Sequence, residues 1–467
     1  MSLQLCPPEI VARSLRYLDG HSLIKCRRVC RLFSSLIADD IEIQYIVELY
    51  SSGMVDEPRV SPDLSTRERL EKLRELVTWR QSRTQLREND TTVSLIEAGN
   101  GRYQSYSFIR LLDDDRTVGI TDLTGVTGKD KPLNSVERQH PIQPRDGTWG
   151  RFCSDRDQDL LVVLDGNDLG PVGLRILSLS KGFQHPLAES PNISWENEHL
   201  DAEWIDLDIF GDFLSVAYHR VNLDLSTMLV HNWKTGRYLL RSHGHESFVF
   251  LDHRYILICI RDESNHCYVH VRELASSTTI LKLALPYLPD PRSPTAFHNG
   301  ALKLPAGVRH HPHYPCRTSP DHAVITLFTL ATSSQTTTVI PCSALIDLVD
   351  KFIPVNDDSP VMLSWGSWPQ VSFLFPADAH QPCLTAAYGH RLAISTATVD
   401  SFIRVYEFDK RWIANGLSVV QADESSFTTV IAPRPVLELK VENSFGLDLD
   451  EDVLITWRGT GPLIFRI

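Results

Sequence analysis

Several features that would assign a function class at once are missing from this sequence. No stretch approaches the roughly 20 consecutive apolar residues that a membrane-crossing helix needs. The first residues carry no basic segment ahead of an apolar run, and Pro7 and Pro8 interrupt what apolar character there is, so no secretory leader is read there. The nine cysteines are odd in number and scattered, without a Cys-x-x-Cys pair. That pattern predicts reduced thiols rather than a disulfide framework. Positive charge is short as well: 46 Lys and Arg against 59 Asp and Glu leave a formal net charge of −13. Such a balance argues against a dedicated nucleic-acid binder or a ligand of anionic membranes, while leaving room for a local basic patch. There is no nucleophile elbow, no phosphate-cradling Gly loop and no His-Glu-x-x-His helix. The expectation is a soluble protein of the cytoplasm or nucleus, with no cofactor, no metal and no membrane or nucleic-acid partner. At 467 residues with 42% hydrophobic and 22% charged side chains, it has ample material for a packed core.

The most informative stretch is residues 1–40. Pro7 and Pro8 fit only before or within the first turn of a helix, where a missing N–H costs nothing. Ile10, Val11, Leu15 and Leu18 then recur at helical spacing. Asp19 to Ser22 reads as a turn, with Ser22 as an N-cap. Leu23, Cys26, Val29, Cys30, Phe33, Leu36 and Ile37 form a second apolar stripe, opposed by Lys25, Arg27, Arg28 and Arg31. Three short helices with more apolar surface than they can bury among themselves need a cover, which on spacing alone is the rest of this chain and otherwise a separate partner.

The order Pro7-Pro8-Glu9-Ile10, Leu15, Leu18-Asp19, Ser22-Leu23, Val29-Cys30-Arg31 and Phe33 resembles the F-box motif, in register over about a tenth of the chain. Cys6 stands where Leu is usual and Phe33 where Trp is commonest, and both keep an apolar side chain. F-box segments dock on a Skp-type adaptor and through it on a cullin–RING ubiquitin ligase. The resemblance implies that Pro7, Pro8, Glu9, Ile10, Leu15, Leu18, Leu23, Val29, Cys30 and Phe33 make or support that interface.

Residues 41–88 read as a helical linker. Ile41–Ser51 is an apolar helical segment ended by Gly53. Ser65 and Glu68 fit a capping box, opening a helix whose stripe runs through Leu70, Leu73, Leu76 and Val77, with Trp79 continuing that side.

From about residue 90 helical periodicity gives way to short β-branched and aromatic runs broken by Gly, Pro, Asp and Asn. A loose unit recurs. Phe210-Gly211-Asp212-Phe213 and Leu251-Asp252-His253-Arg254-Tyr255 each lead into an apolar strand, as do Tyr388-Gly389-His390-Arg391 and Leu449-Asp450-Glu451-Asp452. A further strand with a charged or Trp-Lys corner follows each. Turn, apolar strand, polar turn and strand is how propeller blades read. Residues 89–467 would make about six to eight blades at about 45–55 residues each, the last one completed by an early strand near Val93–Ile96. A pair of β-sandwiches is the competing architecture. Gly125–Gly150 and Pro286–Pro320 read as long inter-blade loops.

Candidate chemistry outside the helices is thin. Arg309 to Cys316, with His310, His311, His313 and nearby His322, could hold zinc, but its spacing matches no zinc signature and a polar loop is the better reading. The acidic runs at Asp113–Asp115, Asp165–Asp168 and Asp448–Asp452 sit where turns are expected, and turns favour Asp, Asn and Gly. Trp365 and Trp368, flanking a Gly-Ser turn, are the first choice for a target-binding loop.

The sequence therefore reads as an α+β multidomain protein: a short all-α F-box (1–40), a helical linker (41–88) and a large all-β domain (89–467), a β-propeller. As the resemblance implies, it would be a non-catalytic substrate receptor of a Skp–cullin–F-box ligase with an unknown protein target. The alternative is a propeller-type hydrolase or lyase with a helical cap.

Overall fold

In the computed structural model the described residues are 6–56, 63–82, 101–104, 107–111, 117–122, 137–141, 152–155, 158–165, 173–194, 204–220, 225–262, 266–285, 316–318, 324–331, 334–352, 360–364, 367, 371–375, 384–388, 391–395, 401–407, 430–431, 437–441, 446–449, 453–458 and 461–466. The chain divides into two compact units, residues 1–87 with 308–322 and Ile467, and residues 88–307 with 323–466.

The first unit opens with helices α1 (Pro8–Leu15), α2 (Gly20–Arg27), α3 (Arg31–Asp39) and α4 (Ile41–Ser51). Pro8 sits in the first turn of α1. The cap of α2 differs from expectation: Asp19, not Ser22, is the N-cap, and its Oδ1 accepts from the Ser22 N–H at 2.8 Å. Asp40 caps α4 by accepting from the Glu42 and Ile43 amides at 3.0 and 3.1 Å. Gly53, at φ 67, ends α4 as expected and turns the chain into β1 (Met54–Asp56). In α5 (Thr66–Ser82) the capping box is present. The Ser65 N–H donates to Glu68 Oε2 at 2.7 Å and Glu68 N–H to Ser65 Oγ at 3.4 Å.

Helix α4 is packed on both sides. Ile43 joins Val11, Leu15, Leu23 and Ile37 in one core, so the core of the first three helices extends past residue 40. Tyr45 and Leu49 join Met54, Leu70, Leu73 and Leu76 in another. Between the second core and β1, Asp56 Oδ1 accepts from Tyr45 Oη at 2.7 Å and pairs with buried Arg69 at 2.9 Å.

The second unit is a succession of antiparallel meanders. Sheet 1 runs β2 (Gly101–Gln104), β3 (Ser107–Leu111), β4 (Thr117–Asp122) and β5 (Glu137–Pro141); sheet 2 runs β6 (Phe152–Asp155), β7 (Leu160–Asp165), β8 (Gly173–Ser178) and β9 (Asn192–Ser194). Sheet 3 is β10 (Trp204–Phe210), β11 (Phe213–Arg220), β12 (Leu225–Asn232) and β13 (Tyr238–His243). Sheet 4 is β14 (His245–Phe250), β15 (Tyr255–Arg261), β16 (Cys267–Glu273) and β17 (Thr279–Ala284).

The stretch read as an inter-blade loop at Pro286–Pro320 contains β18 (Cys316–Thr318), which pairs antiparallel with β1 and so belongs to the first unit. Sheet 5 follows with β19 (Val324–Ala331) and β20 (Ser334–Pro341), and then a helix, α6 (Cys342–Phe352), interrupts a region read as free of helix. Its Cys342, Leu345 and Val349 fall on one buried face. After β21 (Val361–Leu363), which adds parallel to the edge of sheet 4, sheet 5 is completed by β22 (Val371–Phe375) and later by β26 (Val430–Ile431). Sheet 6 is β23 (Leu384–Tyr388), β24 (Arg391–Ser395), β25 (Ser401–Glu407) and β27 (Leu437–Val441), and sheet 7 is β28 (Gly446–Leu449), β29 (Val453–Arg458) and β30 (Gly461–Arg466). The expected early strand at Val93–Ile96 lies outside the described residues.

Seven sequential meanders among the described residues are propeller blades rather than two sandwiches. The first strands of successive sheets lie side by side, β2 on β6, β6 on β10, β19 on β23 and β23 on β28, as the inner strands of blades do. Middle strands serve two interfaces at once. On β15, Ile256 and Ile258 face the core shared with sheet 3, and Leu257 and Cys259 face the core shared with sheet 5. Alternation with both faces buried produces the unbroken apolar run Tyr255–Ile260. The recurring sequence unit also has a physical counterpart. In sheets 2, 3 and 4 the residue after the third strand donates its N–H to the turn between the first two: Leu179 to Asp159 O (2.7 Å), Trp233 to Asp212 O (3.0 Å) and Leu274 to Arg254 O (2.8 Å).

Candidate interaction surface on the N-terminal helices

The ten residues singled out by motif do not occupy one environment. Leu23 is fully buried and Leu15 nearly so, while Leu18 and Phe33 pack partly buried against the same core. Pro7, Pro8, Glu9, Ile10, Val29 and Cys30 are exposed. The division follows from where the helices break. Arg28 closes α2 and Cys30 precedes α3, so the segment 28–30 leaves the helical path that would have carried Val29 into the apolar stripe. Ile10 is 53% exposed and Val29 68% exposed, large values for branched aliphatic side chains.

Two further apolar residues are exposed on the same helices that motif reading passed over, Tyr17 at 82% and Leu32 at 37%. Tyr17 follows the last turn of α1, and Leu32 lies one residue past the Arg31 of the motif. Apolar character at non-motif positions was the only signal available. The surrounding charge is opposite to that of the whole chain. Residues 1–40 hold Arg13, Arg16, Lys25, Arg27, Arg28 and Arg31 against Glu9, Asp19, Asp39 and Asp40, a balance of +2 where the chain carries −13. Arg27, Arg28 and Arg31 are all exposed beside Val29.

Two of these four carboxylates, Asp19 and Asp40, are engaged within the unit. Hydrogen bonds from the Ser22 amide and hydroxyl hold Asp19 below the usual carboxylate range. For Asp40, burial acts to raise the carboxyl, but Arg16 at 2.7 Å and the α4 amides outweigh it and hold it low. Exposed Arg27, Arg28 and Arg31 make the surroundings of Val29 basic, while Glu9 and Asp39 are also exposed. Close packing keeps the helices in place: a Cβ on Gly20 would overlap Tyr50 Cβ and stand 3.1 Å from Ile46 O.

The remaining sequence candidates give less. Trp365 and Trp368, the His310, His311, His313 and His322 imidazoles, the Asp113–Asp115 run and Asp450 to Asp452 lie outside the described residues; Cys316 lies in β18. Among the described residues no group of three or more His, Cys, Asp or Glu is arranged to hold a metal ion, and no helix is long and apolar enough to cross a membrane.

The described residues thus combine a small helical unit that exposes apolar side chains among basic ones with a set of propeller-type sheets. In comparison with known families, residues 3–44 match the F-box domain. No curated protein matches it. Solved structures similar to it include BamB from Moraxella catarrhalis, at 10% identity, 80% of this chain and 97% of the other, and a TM-score of 0.39. Kuenenia stuttgartiensis hydrazine synthase is similar at 11% identity, 78% and 92% coverage and a TM-score of 0.43. The Dos1 propeller is similar at 9% identity, 80% and 86% coverage and a TM-score of 0.35. Likenesses at this level carry no inference about activity.

Proposed function

We propose that this chain is a substrate-recognition subunit of a Skp–cullin–F-box ubiquitin ligase. The exposed residues Pro7, Pro8, Glu9, Ile10, Val29 and Cys30, joined by Tyr17 and Leu32, make the adaptor contact. Leu15, Leu18, Leu23 and Phe33 support it from the core. The propeller holds the target, with the loop carrying Trp365 and Trp368 as its first candidate contact. The observation that supports this reading best is the exposed apolar set on the F-box helices, since large solvent-facing aliphatic and aromatic groups are interaction sites when clustered. Their basic surroundings favour an acidic adaptor surface, giving an on-rate that falls with added salt. The chain supplies no reacting group in this role. It acts by holding target lysines near the ligase, raising their effective concentration.

Titration of a purified Skp-type adaptor onto the full chain tests this. Wild type binds, and Val29→Asp weakens binding by at least about tenfold, because a carboxylate would be desolvated against an apolar partner surface. Unchanged affinity in Val29→Asp would remove Val29 from the interface and the proposed surface with it.

A further inference from the structure

Sheet 4 carries an arrangement that the adaptor reading does not use. On β16, Cys267, Val269 and Val271 enter the core shared with sheet 5, which leaves Tyr268, His270 and Arg272 on the other face, the one on which Ile258 packs against Met228, Val230 and Leu240 of sheet 3. There His270 stands directly across from Ile258 of β15 on one side and Lys282 of β17 on the other. Arg272 follows on the same face, its Nε donating to Thr279 Oγ1 at 3.1 Å. The parallel edge strand β21 sets Met362 beside Lys282. Across the sheet the row thus runs Ile258, His270, Lys282, Met362, from a fully buried residue to one 61% exposed.

His270, Arg272 and Lys282 are each half-buried. The charged groups acting on His270 are Lys282 and Arg272, both cationic. No carboxylate among the described residues forms an ion pair with any of the three. His270 Nδ1 is buried without a hydrogen-bond partner. Basic groups on adjacent strands repel one another, and an unmet buried polar atom is costly. Asp or Glu on the facing positions would relieve both, and this chain has a surplus of 13 acids, yet the neighbouring positions hold Ile258, Thr279 and Met362. Burial and the two cations pull the imidazole down to about 4, and burial also lowers the Arg272 guanidinium. Each of these costs is relieved by one event, the arrival of an anion.

We propose that this face of sheet 4 is a binding site for a phosphate-class oxyanion, whose oxygens accept from the Lys282 ammonium, the Arg272 guanidinium and the His270 imidazole. A tetrahedral anion with several acceptor oxygens can satisfy three donors carried on two adjacent strands, which the two oxygens of a carboxylate do less completely. The row ends at exposed Met362, so the anion is either free phosphate or a phosphoryl group on a larger molecule. The site is independent of the adaptor surface, so either proposal can fail without the other.

The test is the thermal midpoint of the full chain, and calorimetric binding, at constant ionic strength with chloride exchanged for inorganic phosphate or for a phosphoserine tripeptide. Phosphate is expected to raise the midpoint saturably. Lys282→Met and Arg272→Gln are expected to weaken phosphate binding at least tenfold each while their midpoints in chloride stay level or rise, because like-charge repulsion is removed. Binding of both ligands assigns the site to phosphoryl groups carried on larger molecules, and binding of inorganic phosphate alone assigns it to the free ion; either supports the site. Equal midpoints in phosphate and chloride would overturn the proposal, as would a phosphate effect that survives in both variants, which would mark an adventitious ion elsewhere.

Discussion

Leu23 and Val29 separate two roles that one motif combines. Both are aliphatic motif positions, but one is 0% and the other 68% exposed. Leu23→Ala removes a filled core position and is expected to destabilise the N-terminal unit by about 2–5 kcal/mol. Adaptor binding is then lost together with helix content. Val29→Asp is expected to lose binding with helix content and thermal midpoint unchanged. Circular dichroism read beside affinity distinguishes them, and a Val29→Asp chain that unfolds would place Val29 in the core. The sequence made all ten residues legible as a set but not this division, because apolar identity is the same at both kinds of position. Only the break at residues 28–30 sorts them. His270 gives a prediction of another kind. Its folded pKa of about 4 lies below the roughly 6.5 of an unfolded histidine. The unfolded chain therefore binds more protons between those values, and stability falls as pH drops through that window. The groups facing it are Lys282, Arg272 and Tyr268, with Ile258 and Met362 uncharged. His270→Gln is expected to flatten the decline in midpoint between pH 7 and 4.5, and an unchanged slope would assign the decline to other groups.

At the scale of elements, the recurring turn was the most legible part of the propeller. The four quoted segments fall on the first hairpins of sheets 3, 4, 6 and 7. In sheets 3 and 4 the quoted turn accepts an N–H from the residue after the third strand, as the corresponding turn of sheet 2 does. Left-handed backbone recurs too, at Gly182, Gly236 and Ser277 in the outer hairpins of sheets 2, 3 and 4. At Gly236 the nearest atom to an added Cβ would be Ser190 Cβ at an ordinary 3.6 Å, so space is not limiting. Gly236→Ala is therefore expected to cost about 1 kcal/mol through backbone strain alone. Chemical denaturation would measure it, and no cost would mean that the turn relaxes. The elements missed were those with nonlocal causes. Strand β18 exists by pairing with β1, some 260 residues earlier in the chain, and β21 by adding to sheet 4 across the intervening strands β18, β19 and β20 and helix α6. Helix α6 had a local signal, Cys342, Leu345 and Val349 at helical spacing, which the surrounding β pattern obscured.

At the scale of the molecule, the two units differ in legibility. The F-box could be read because a short helical unit must carry its interface within a few dozen contiguous residues. A propeller distributes its surface over loops from many sheets, so no contiguous stretch reveals what it holds. The central claim is that the exposed face of the first unit binds a Skp-type adaptor. The most direct measurement is co-expression of the full chain with that adaptor, followed by size-exclusion chromatography and thiol labelling of exposed Cys30. The account predicts a one-to-one complex in which Cys30 is shielded from the reagent and which Val29→Asp abolishes. A folded chain that elutes apart from the adaptor, with Cys30 labelled equally in its presence and absence, would contradict it.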